Sequence, residues 1–100
     1  MKWEVDQYRL SSMFVTDAHV ARCGHLRVHA VSYSEYGTPG HRWHDPSHCE
    51  WYVALDDGYQ SYRRALARGT TSTIDAAKQD AADACRRIVE GMLASLAEGA

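Results

Sequence analysis

Trp3 and Val5 alternate with Lys2, Glu4 and Asp6, which predicts a first strand over residues 2–9 with one face buried. After a turn at Ser11-Ser12, the β-formers Phe14, Val15, Thr16 and Val20 predict a second strand over residues 13–20. Arg22-Cys23-Gly24 reads as a turn. The clearest alternation follows over residues 25–34, with Leu26, Val28 and Ala30 on one side and Arg27, His29, Val31 and Tyr33 on the other. Gly37, Pro39, Gly40 and Pro46 then interrupt any regular pattern, so residues 35–48 are expected to form a long loop. Cys49, Trp51, Val53 and Leu55 alternate with Glu50, Tyr52 and Ala54, giving a strand over residues 49–56. Asp56-Asp57-Gly58 is a hairpin signal, because Asp-Gly tolerates the positive φ of a tight turn. A returning strand over residues 59–68 is the expected consequence, although Tyr59, Tyr62, Arg63 and Leu66 also fit helical spacing.

From there the period changes from two to 3.6. Ile74, Ala77, Ala81, Ala84, Cys85, Ile88, Met92 and Leu96 recur in steps of three and four, predicting an amphipathic helix over residues 73–97. Asp75, Lys78, Gln79, Asp83, Arg86, Arg87 and Glu90 mark its wet side. Ser72 with Asp75 three residues on fits a capping box, so Ser72 is the expected N-cap. The alanines should let the helix approach the sheet closely, while Ile88, Met92 and Leu96 should fill a wider gap beyond them. Asp83 with Arg87 and Arg86 with Glu90 are expected i, i+4 pairs. The order of elements predicts an α+β fold over residues 1–100, a two-layer antiparallel meander of four or five strands with one long C-terminal helix across one face.

Composition narrows the function classes. One hundred residues, 45% of them hydrophobic, suffice for one core. A net charge of −2 and a pI near 6.3 argue against a protein mainly occupied with neutralising phosphates. No signal-peptide core and no run of roughly 18 apolar residues is seen, so cytoplasmic residence without a membrane span is expected. Cys23, Cys49 and Cys85 read as reduced thiols rather than a disulfide framework.

The run Ala77-Lys78-Gln79-Asp80-Ala81-Ala82 matches the Ala-Lys-x-x-Ala-Ala helix motif of double-stranded-RNA-binding domains. Together with the strands before it, the C-terminal half resembles the β-β-β-α part of that family. The resemblance implies a helix packed on an antiparallel sheet, and duplex RNA as an alternative partner. It departs from the family at the helix start, where Ile74 and Asp75 stand at positions that carry phosphate-gripping lysines. The chain is also similar in style to small bacterial and phage proteins that end in a strand, a Gly-Thr turn and an alanine-rich helix.

Candidate chemistry concentrates in one stretch, Gly40-His41-Arg42-Trp43-His44-Asp45-Pro46-Ser47-His48-Cys49-Glu50. His41, His44, His48 and Cys49 are the residue types that bind zinc, which makes a zinc-binding domain a further alternative. Pro46 prevents His44 and His48 from sharing a helical turn, and His48 and Cys49 should point to opposite sides of a strand. No acid, base and stabiliser assemble into a catalytic set, and His19, His25 and His29 read as solvated strand residues. The favoured reading is a non-catalytic interaction module that binds a protein partner or a second copy of itself. Its expected contact residues are Tyr36, His41, Arg42, Trp43 and His44 of the loop with Arg63 and Arg64, beside the sheet face that the helix leaves open.

Overall fold

A computed structural model describes residues 1–56 and 61–99. Five strands form one antiparallel sheet in chain order, β1 (Glu4–Val5), β2 (Val15–Cys23), β3 (Leu26–Tyr33), β4 (His48–Leu55) and β5 (Ala67–Thr71). The helix α2 (Ile74–Gly99) packs on one face, giving the expected two-layer α+β architecture.

The register explains which residues meet the helix. Cys23, Leu26 and Leu55 lie opposite one another along the ladder, as do Ala21, Val28 and Val53, and Ala30 and Trp51. This set faces α2, whose Ala77, Ala81, Ala84 and Cys85 are buried against it. Small side chains allow the close approach, and the fully buried Val28 and Val53 each stabilise the fold by about 1.5–3 kcal/mol. Trp51 stands opposite Gly69 of β5, where its indole lies over the glycine backbone.

Several expected boundaries move. The first strand covers only Glu4–Val5, because the Asp6 carboxylate accepts the Arg9 N–H and starts a short helix, α1 (Gln7–Leu10). The second strand begins at Val15 and runs through Cys23, so the turn shifts to Gly24–His25, with Gly24 at φ +61°. Of the returning strand expected over residues 59–68, only Ala67 and Arg68 are strand among the described residues. Tyr62–Arg64 is a 3-10 turn and the strand lies later, at Ala67–Thr71. Asp57, Gly58, Tyr59 and Gln60 lie outside the described residues.

The cap of α2 is Thr73 rather than Ser72, with the Thr73 hydroxyl accepting the Ala76 N–H at 3.1 Å. On the wet side Asp83 pairs with Arg86 at 2.9 Å instead of Arg87. The wider gap expected beyond the alanines is not filled. Ile88 and Val89 pack at the margin of the core, whereas Met92 is 47% and Leu96 71% exposed. The cause is length, since 26 helical residues span about 39 Å and an eight-residue strand only about 26 Å. Among the described residues no helix is long and apolar enough to cross a membrane.

Candidate functional site

The open sheet face carries Arg27, His29, Val31 and Tyr33 of β3 beside Ala54, Tyr52, Glu50 and His48 of β4. Polar residues at these positions look solvated in the sequence, yet His29 is only 3% and Tyr52 only 2% exposed. The reason is α1. Asp6 N–H donates to Ala18 O at 2.9 Å, and α1 packs against β2. Its side chains then reach across the open face, where Arg9 donates to the Tyr52 hydroxyl and its guanidinium lies over the Tyr52 ring.

Beneath Arg9 the His29 and Tyr52 rings stack at 4.4 Å between centroids with planes 19° apart. Asp6 holds the cluster from the side, with its Oδ2 3.4 Å from Arg9 Nε and 3.7 Å from His29 Nδ1. From the other side Tyr62 meets Tyr52 edge to face at 6.3 Å. Arg68 crosses the Tyr62 ring and donates to Tyr62 O and Arg63 O, which fixes that turn. Together these groups enclose a cleft of about 530 Å³ with Tyr8, Arg27, Tyr33 and Glu50 on its rim.

Burial keeps the hydroxyls in this cleft protonated. Desolvation raises the Tyr52 phenol above its ordinary value, against the opposing pull of Arg9. Desolvation also raises Tyr33, with the nearby Glu50 carboxylate adding to it. Because Tyr52 accepts from Arg9, its own proton remains available to donate. At the end of the face His48 stacks on Tyr33 at 5.3 Å. The hydrogen bond from His48 to Pro46 O favours its charged form, as do Glu50 and Asp45, and its pKa is raised despite partial desolvation.

The loop residues singled out by the sequence form a separate feature. Tyr36 and Asp45 exchange backbone hydrogen bonds at 2.8 Å, which closes residues 36–45 into a pinned protrusion instead of an open loop. Gly37 at φ +80° permits this, since a Cβ there would stand 3.1 Å from Trp43 O. Tyr36, His41, Arg42 and Trp43 are exposed, with Arg42 lying over the Trp43 ring, while His44 pairs with Glu35 at 3.1 Å. Phe14, at φ 71°, packs edge to face on Tyr36. Arg63 and Arg64 sit in the Tyr62 turn, which packs on β4 beside Tyr52.

The four candidate zinc ligands are divided. Cys49 is buried on the helix side of the sheet, His48 engages Pro46 and Glu50 on the open side, and His44 engages Glu35. Among the described residues no three His, Cys, Asp or Glu side chains are grouped to hold a metal ion. The lysine of the Ala-Lys-x-x-Ala-Ala motif, Lys78, lies over the Trp3 ring at 5.8 Å.

Sequence reasoning missed Asp6, Arg9, His29 and Tyr52 as a unit. The available signal was Asp6 three residues before Arg9, an N-cap followed by a cation, which marks a helical turn where alternation suggested strand. A scan of protein-family models and searches of curated proteins and of solved structures find no match to this chain.

Proposed function

We propose that this domain is a non-catalytic binding module that takes an exposed segment of a partner protein into the cleft between α1 and the Tyr62 turn. The observation that carries the reading is the layered cleft itself. His29 and Tyr52 form a rigid floor, while Tyr8, Arg27 and Tyr62 stand at the rim. Tyrosine and arginine provide large contact area with polar tips and little loss of side-chain freedom, the properties of residues that dominate protein contacts. Arg27 at the rim suits acceptor groups of a peptide, and the Tyr8 and Tyr62 rings suit its apolar side chains. A catalytic role is less well supported, because the His29 ring is packed under Tyr52 and beside Asp6, away from where a substrate would enter. Duplex RNA is also a weaker candidate, with Lys78 occupied at Trp3 and acidic Asp75 in the first turn of α2.

Panning a random peptide library displayed on phage against the folded protein tests this. Selected peptides should bind the wild type and Trp43→Ala alike, and lose at least tenfold in affinity for Tyr8→Ala and Tyr62→Ala. Tyr8 is 83% exposed, so its removal leaves the fold intact. Peptides that depend on Trp43 and not on Tyr8 or Tyr62 would move the binding surface to the loop and refute the cleft.

A further inference from the structure

Three cations share one pocket at the end of the open face nearest the Gly24–His25 turn. Arg22 of β2 lies level with Arg27 of β3, Glu4 lies level with Val20, and Lys2 stands two residues before Glu4 on the same side of the chain. Lys2, Arg22 and Arg27 line a pocket of about 590 Å³ with Glu4 and Val20. Arg27 is also on the rim of the aromatic cleft, so its side chain borders both hollows. Asp56 fixes the two arginines as a pair, with its Oδ2 3.0 Å from Arg22 Nη2 and its Oδ1 3.1 Å from Arg27 Nη2. A guanidinium has five N–H donors, and this contact occupies one nitrogen of each, which leaves both arginines with donors for a ligand. We infer that the pocket takes the carboxylate of an aspartate or glutamate in the partner segment, next to the residue that enters the cleft. The inference deepens the assignment of the cleft to a peptide and rests on it.

Charge selects the ligand. Lys2, Arg22 and Arg27 bring three positive charges against the two negative charges of Glu4 and Asp56, which leaves one net positive charge at the pocket. A single carboxylate balances it. A phosphate group, with nearly two negative charges, exceeds it and faces Glu4 in the same pocket. The Arg27 side chain is only 33% exposed, so its attraction for an anion is screened by salt less than that of a fully solvated cation. Spacing then sets where the acid stands in the segment. His29, in the floor of the cleft, lies two residues from Arg27 along β3, about 7 Å away. Alternate side chains of an extended segment are the same distance apart, so an acidic residue two positions from an apolar one reaches both hollows.

The test takes peptides that panning selects through Tyr8 and Tyr62, labels them with fluorescein and titrates them with the full-length protein by anisotropy. They should carry Asp or Glu two positions from an apolar residue. Replacing that acid by its amide should weaken binding about fivefold or more. Raising NaCl from about 50 to 500 mM should weaken the acidic peptide and spare the amide peptide. Arg22→Gln changes a side chain that is 63% exposed, so the fold is kept. It should weaken the acidic peptide by a similar factor and leave the amide peptide unchanged, while both peptides still lose affinity for Tyr62→Ala. Peptides that need Tyr8 and Tyr62 but no acid, or an Arg22→Gln loss equal for the acidic and amide peptides, would overturn the inference and leave the cleft standing. Tighter binding with phosphoserine in place of the acid would overturn the match to a single carboxylate. Selection of no peptide that depends on Tyr8 and Tyr62 would remove the cleft and this inference with it.

Discussion

Gly69→Ala is the most discriminating single change, because one methyl group is directed at one ring. A Cβ at Gly69 would stand 2.6 Å from Trp51 Nε1, 2.7 Å from Cε2 and 2.8 Å from Cζ2. Ordinary carbon contacts lie at about 3.5–4.0 Å, so the ring must retreat by roughly 1 Å. Trp51 is 8% exposed and belongs to the core cluster beneath α2, where close packing leaves no slack. Overpacking of this kind costs about 1–3 kcal/mol. Replacing glycine also restricts the unfolded chain, which offsets about 0.4–1 kcal/mol. At the middle of these ranges the net loss is about 1.3 kcal/mol, a fall in thermal midpoint of roughly 5–10 °C for a domain of this size. Urea titration followed by tryptophan fluorescence, with calorimetry alongside, measures it. Trp51→Phe should partly rescue Gly69→Ala, so the double variant should lose less than the two single losses combined. An unchanged or raised midpoint in Gly69→Ala would refute the packing argument.

Further outcomes follow from the same geometry. His48 has a raised pKa, so its stabilising contribution is full below its unfolded value and is lost as pH rises through the folded one. Thermal melts between about pH 5 and 8 should therefore show the advantage of wild type over His48→Gln shrinking as pH rises, and a gap that widens would contradict this. Ala81→Leu forces a large side chain into a fully buried helix-sheet contact and should lower stability by about 1–3 kcal/mol, whereas Leu96→Lys beyond the sheet should change it by less than about 0.5 kcal/mol in the same urea titrations. Thr73→Ala removes the α2 cap and should cost about 1 kcal/mol, while Ser72→Ala should cost almost nothing, as read by circular dichroism melts.

The sheet faces and the helix face were legible because the apolar positions there keep a regular period. Alternation at Leu26, Val28 and Ala30, and at Cys49, Trp51 and Val53, separates the two faces in the sequence as it does in the fold. What the pattern could not express was the reach of each layer. The apolar spacing of α2 continues through Met92 and Leu96, but periodicity carries no information about where the sheet beneath it stops. His29 and Tyr52 illustrate the converse. A polar residue on the side away from the helix looks wet until another segment covers it, and that segment, Gln7–Leu10, is only four residues long. Ser72 and Thr73 are adjacent hydroxyl residues, either of which can cap, and a one-residue slip decides between them. The chemistry of the candidate site thus depends on a contact between positions 9 and 52, far apart in the chain and unmarked by any local motif.

The order of the strands in the sheet is the order of the strands in the chain. Each strand can therefore pair with the one made just before it, without a gap held open for a later segment. Loop-closure entropy is small at each such step, because the partner is always the nearest strand along the chain. A topology of this kind has low contact order for a β-rich protein, and low contact order accompanies fast folding. The sheet can zip from the tight Gly24–His25 hairpin outward in both directions, and α2, arriving last, closes the core over a surface that is already laid out.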